Sequence, residues 1–238
     1  MGAMRNALFW ARYIRDVFLP ELSLLQRAVL TRVLPAFDNI EAEAGSAEWE
    51  AWERLSAVAG PDSDPAALAE QARDAGIDRY LMMKSIRQAT INLFTVAVHH
   101  LVEQQQLFLL RREFLPLGET DQHALLKPRE FITRSNVAGV NIESLDGWPE
   151  LEELRFVANA VKHAEGPAVA LLRSRRPDLF ENPVLRQEAD FTFLTAQWEV
   201  YRPLFGEDLF VTEPDLDRYF RAAEQFWQAY AGRLEQLD

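Results

Sequence analysis

From Ile77 to about Phe114 the apolar residues fall at helical spacing, and through the middle of that run they occupy almost every side of the helix. A helix that is apolar all round has to be enclosed, either by lipid or by other helices. Its most apolar stretch, Ala89 to Val102, is interrupted by Asn92, His99 and His100 and falls short of the roughly 18 to 20 apolar residues that a bilayer crossing needs. No membrane association is therefore expected, and the enclosing material is protein. The fold class that follows is all-α: a multi-helix bundle with one long central helix.

The flanking sequence agrees with this reading. Helical spacing extends from about Met4 to Phe18, a second helix starts at Pro20 and is ended or kinked near Pro35, and a third continues to about Ala59. Gly60-Pro61-Asp62-Ser63-Asp64-Pro65 is a turn cluster and the best internal boundary in what is otherwise a single domain spanning residues 1–238. Ala66 to Ala75 predicts a short helix that Gly76 ends in the left-handed conformation. Beyond the central helix, a loop from Leu115 to Leu126 leads to a helix over Pro128 to Ala138, and Trp148-Pro149 opens another that ends near Gly166-Pro167. A short helix over Ala168 to Arg175 follows. Ala189 to about Arg202 suits a helix, although Phe191, Phe193 and Val200 would also suit a strand. Leu209-Phe210-Val211 reads as extended, and the last helix runs from about Glu213 to Leu237, with Thr212 and Asp215 as a loose version of a capping box.

Composition removes several chemistries. The 238 residues include no Cys, which excludes disulfides, thiolate metal sites and sulfur nucleophiles. Met1-Gly2-Ala3 reads as a short appended remnant ahead of Met4, and no cleavable signal pattern is present, so a cytoplasmic location is expected. A net charge of −12 opposes nonspecific nucleic-acid binding, which depends on cations displacing counterions from phosphates. That charge is unevenly placed. Residues 107–186 carry 11 basic and 12 acidic side chains between strongly acidic flanks, so an anionic ligand is expected in this near-neutral middle third. Its cations include Lys127 and Arg129 as well as those singled out below.

The segment with the most chemical content is Glu150 to Gly166, ELEELRFVANAVKHAEG. At about 100° per residue, with Arg155 as zero, Lys162 lies at roughly −20°, Asn159 at about 40°, Glu152 at about 60° and His163 at about 80°. Leu154, Val157 and Val161 take the opposite side. Imidazole can exchange protons near neutral pH, Arg or Lys can hold a phosphate, and Asn can orient either, which suffices for RNA cleavage by 2′-hydroxyl attack. The same stripe also fits a solvated face in which Lys162 and His163 offset the negative end of the helix dipole.

LRFVANAVKHAEG, with the following LLRSRRPDLF, resembles the Arg- and His-bearing helix of HEPN-like proteins, over about residues 149–180. The resemblance implies an all-α domain, commonly a homodimer, acting as a metal-independent endoribonuclease of a toxin or antiviral-defence system with no cofactor. It implies Arg155 at the scissile phosphate and His163 as acid or base, with Asn159 orienting and Lys162, Arg173, Arg175 and Arg176 contacting RNA. A partner protein such as an antitoxin is implied as well. Seven residues separate Arg155 from His163, which places their Cα atoms roughly 12 Å apart along a helix, so convergence requires bent side chains or a second subunit.

A second constellation lies on the central helix, where His99 and His100 precede Glu103 by four and three residues. These three can form a second wall of the site, with Glu103 pairing Lys162, Arg155 or His163, or a satisfied polar layer between helices. No His has Glu three residues before it, so the di-iron Glu-x-x-His pattern is absent, and a lone site from His99, His100, Glu103 and His163 is the remaining metal arrangement. Glycine-rich phosphate loops, HExxH and GxSxG are absent. Two functions remain open: the endoribonuclease, and a noncatalytic helical interaction module with a degenerate HEPN-like fold.

Overall fold

The computed structural model describes residues 6–120, 122–183, 200–206 and 208–237, and among them every regular element is helical. The N-terminal segment is one rod in which α1 (Ala7–Tyr13) and α2 (Leu19–Ala28) are joined by a π-helical turn over Ile14–Phe18. A second π-turn, Val29–Val33, and a 3₁₀ turn, Leu34–Phe37, complete the rod. Pro20 therefore does not begin a new helix. Each widened turn ends immediately before a Leu-Pro pair, Leu19-Pro20 and Leu34-Pro35, and a third, Leu110–Phe114, immediately before Leu115-Pro116. Proline lacks the amide proton of a regular turn and its ring crowds the carbonyl one turn back, and an i→i−5 bond relieves that crowding without stopping the rod. The amide of Leu115 makes such a bond, 3.1 Å to the Leu110 carbonyl.

Next come α3 (Ile40–Val58) and α4 (Pro65–Leu109), an antiparallel pair joined by the expected turn cluster. Asp64 caps α4 by accepting from the Ala66 amide at 2.9 Å. The helix does not stop at Gly76. It runs unbroken for 45 residues, about 68 Å. Gly76 is there because α3 is close: a Cβ would stand 3.0 Å from the Glu48 Cβ and 3.1 Å from the Ala44 carbonyl oxygen. The enclosure read from the sequence holds in the second half alone, and there with Leu93 and Phe108 as exposed exceptions. Ile91, Val98, Val102 and Leu109 are buried, whereas Ile77, Leu81, Met82 and Ile86 are exposed.

The rest of the bundle is built from α5 (Pro128–Val137), α6 (Trp148–His163), α7 (Pro167–Arg175) and α8 (Glu213–Leu234). Thr212 and Asp215 form a complete capping box, with Asp in the place usually taken by Glu or Gln. α8 packs on α1, α2, α4 and α6. It buries Tyr219, Phe220, Phe226, Trp227 and Tyr230 completely, and Trp227 meets the Phe18 ring at 4.9 Å while Tyr230 stacks on Phe131 at 5.6 Å. Leu209–Val211 lies outside any helix, held to α4 through the buried Asn92, which donates to the Pro203 and Leu209 carbonyls at 2.6 and 2.9 Å. The helix expected over Ala189 to Arg202 falls mostly outside the described residues, including Phe191 and Phe193. Among the described residues no helix is long and apolar enough to cross a membrane.

Candidate functional site

A cleft of about 540 Å³ opens between the second half of α4 and the outer face of α6, with the start of α5 as its third wall. Helical spacing explains its lining. On α4 the contributors are His99, Val102, Glu103 and Gln106, at i, i+3, i+4 and i+7. On α6 they are Trp148, Leu151, Glu152, Arg155, Asn159 and Lys162, again one face. Lys127, Pro128, Arg129 and Ile132 come from the α5 entry, and Glu143 from the 3₁₀ turn Ile142–Ser144.

Four cations face three carboxylates in this cleft, in a chain whose net charge is −12. Their pairing is uneven. Glu103 is held by His100, whose Nδ1 is 3.1 Å from its carboxylate. Glu152 lies 3.8 Å from both Arg155 and Arg175, and both guanidinium groups sit over the Phe156 ring, at 4.7 and 5.0 Å. Lys127, Arg129 and Lys162 form no ion pair among the described residues. Asn159 and the buried Gln106 likewise have no side-chain hydrogen bond there. Unpaired cations beside amides that are open to a ligand, over an apolar floor of Val102, Ile132 and Leu151, suit a ligand that is anionic at one end and planar or apolar at the other.

His99 is the titratable group set apart from the rest. Burial pushes its imidazole down to about 4, opposed by Glu103 and reinforced by the charges of His100, Lys162 and Arg155. It is neutral at pH 7, and it feels the α6 cations directly. A neutral imidazole offers a nitrogen lone pair as proton acceptor, and an anion bound by Arg155 and Lys162 would raise its basicity.

The residues singled out from the sequence divide into three groups. Arg155, Asn159, Lys162, His99 and Glu103 converge on the cleft. His163, at the last turn of α6, is exposed and is not part of the lining, and His100 is displaced from it by one position along α4. Arg173 sits over the Phe180 ring at 4.8 Å, and neither it nor Arg175 nor Arg176 lines the cleft. Arg176 is engaged elsewhere, donating to Glu153 at 2.7 Å, Asp178 at 2.7 Å and Asp215 at 2.8 Å. Glu153 also accepts from Arg218 and from the Tyr219 hydroxyl, so this network clamps α6 to α8 and to the turn after α7. Burial opposes the ionisation of Glu153, but the hydrogen bonds from Arg218 and Tyr219 outweigh it and hold the carboxyl below its usual range.

The sequence places Lys127 and Arg129 only in the near-neutral third, places Gln106 only at the end of the run that starts at His99, and gives no signal for Glu143 or Trp148 as lining residues. The available signal was the spacing of Glu103 and Gln106 on the face of His99. Among the described residues no group of three or more His, Asp or Glu side chains is arranged to hold a metal ion. No protein-family model matches the chain, and neither a curated protein nor a solved structure gives a match.

Proposed function

We propose that the α4–α6 cleft binds RNA and that the protein is a metal-independent endoribonuclease, with His99 rather than His163 as the proton-transfer group. The observation that carries the reading is the meeting of a neutral, half-buried His99 with the unpaired Lys162, Lys127 and Arg129 in one cleft. In this scheme the His99 imidazole removes the proton of a ribose 2′-hydroxyl and that oxygen attacks the adjacent phosphorus. The bond to the 5′-oxygen breaks, that oxygen takes a proton from water, the His99 imidazolium returns its proton to the hydroxide left behind, and the products are a 2′,3′-cyclic phosphate and a 5′-hydroxyl. Arg155 and Lys162 offset the charge that builds on the non-bridging oxygens, and Asn159 orients the phosphate. A HEPN-like assignment, with its toxin or defence setting and dimeric state, belongs to the same proposal and is supported by the all-α bundle and the Arg155-bearing helix.

The test is incubation of wild type, His99→Ala and His163→Ala with single-stranded and structured RNAs in EDTA, followed by analysis of fragment ends. Cleavage to cyclic phosphate ends by wild type and His163→Ala, and its loss in His99→Ala, is the expected result. Cleavage that depends on His163 and not on His99 would reverse the assignment, and folded wild type that neither binds nor cuts RNA would remove it. A second reading, the helical interaction module, is favoured by the row of exposed apolar residues on the first half of α4.

A further inference from the structure

The α3–α4 pair is an arm with almost no interior of its own. Between residues 40 and 86 the only buried positions are Ile40, Ala51, Ala72 and Gly76, and the central core cluster contains none of them. Two helices packed along one seam leave their remaining faces to solvent, and here large apolar side chains stand among the charged ones on those faces. Ile77 and Leu81 share one face of α4, Met82 and Ile86 another, and α3 adds Trp49, all more than two-fifths exposed. Scattered exposed apolar residues need no explanation, but this set lies on one projecting hairpin. Near its tip, Gly45, Ala69 and Ala72 leave a groove of about 360 Å³ beside the Trp49 and Trp52 rings, with Glu48 on its edge.

We propose that this arm is a docking surface for a basic amphipathic helix of a partner protein. Charge selects the occupant. Residues 40–86 carry ten carboxylates and four cations, and of those carboxylates Glu41 alone pairs with a cation among the described residues, at 3.9 Å from Lys84. A second copy would bring an equally acidic arm against this one, and membranes with anionic lipids are repelled for the same reason. A helix with leucine-like residues on one side and Lys or Arg on its flanks meets both features: its apolar stripe covers Ile77 and Leu81, which continue the i, i+4 row that starts at Ala69 of the groove, and its cations face the carboxylates. The groove fixes the register, because a Lys or Arg side chain entering it would contact two indole faces and the Glu48 carboxylate, which has no ion pair among the described residues. This inference is independent of the cleft chemistry, which uses none of these residues.

The experiment titrates the full chain with a synthetic leucine–lysine amphipathic helix about five turns long, and separately with its leucine–glutamate counterpart, following tryptophan fluorescence and heat. The lysine peptide is expected to bind, more weakly as salt is raised, while the glutamate peptide does not bind. Trp49→Ala and Leu81→Ser, both at exposed positions, each weaken binding about tenfold or more with an unchanged Tm. No binding of the lysine peptide, equal binding of both peptides, or unaltered affinity in both variants would overturn the proposal. So would sedimentation as a dimer that Trp49→Ala dissociates, because the surface would then belong to a second copy.

Discussion

Replacing Glu153 by Gln keeps the shape of the side chain at the centre of the α6–α8 clamp and removes its charge. Three donors converge on it: Arg176 at 2.7 Å, Arg218 at 2.5 Å and the Tyr219 hydroxyl at 2.7 Å. A hydrogen bond to a charged group contributes about 1.5–3 kcal/mol and a neutral one about 0.5–1.5, so each bond loses roughly 1 kcal/mol. Arg218 keeps about a third of its side chain in solvent, where screening reduces its share. The expected net loss is about 2 kcal/mol, or a Tm lower by about 4–8 °C for a chain of this size. The pH dependence has a definite sign. The folded-state carboxyl titrates below its usual range, so its stabilisation is complete above the ordinary glutamate value and is lost as the pH falls through the lowered one. Urea unfolding of wild type and Glu153→Gln should therefore show a constant gap from pH 7 down to about 5.5 and a narrowing gap below about 4.5. No gap at pH 7, or one that stays constant to about pH 4, would refute the reasoning.

Asn92→Ala leaves the Pro203 and Leu209 carbonyls without their buried donor, and should cost about 2–4 kcal/mol in urea unfolding while raising amide exchange around Val211. Gly147 sits at φ +79° where a Cβ would overlap the Ala222 carbonyl oxygen, so Gly147→Ala should destabilise by about 3 kcal/mol or more, read as a lowered Tm. Neutralising Lys127 and Arg129 together should leave Tm within a degree or two and reduce the salt slope of single-stranded RNA binding by about 1.4, at roughly 0.7 per phosphate contact.

Much of the bundle was legible because its signals are local. Turn residues set the α3–α4 connection, prolines opened α5 and α6, and apolar spacing marked the buried half of α4. Gly76 was misleading because a helix-ending glycine and a glycine that admits a neighbouring helix look alike in sequence, and only the position of Ala44 and Glu48 separates them. Pro20 misled for a related reason, since a π-turn one residue earlier absorbs what would otherwise end a helix. At the site, the stripe of Arg155, Asn159 and Lys162 followed from periodicity within one helix. What lay opposite it did not, because pairing α6 with α4 and the α5 entry depends on packing between segments far apart in the chain, 56 positions in the case of His99 and Arg155. His163 shares the angular sector of the stripe but sits one residue past the last lining position, Lys162.

The most direct test follows the His99 imidazole by NMR in the absence and presence of a 2′-deoxy dinucleotide, which can occupy the cleft and cannot be cut. Free protein should show His99 titrating near pH 4, and saturation should move that titration toward neutrality in wild type and much less in Arg155→Ala, because a phosphate held beside the ring favours its protonated form. A His99 titration unmoved by saturating dinucleotide, with His163 responding in its place, would contradict the account.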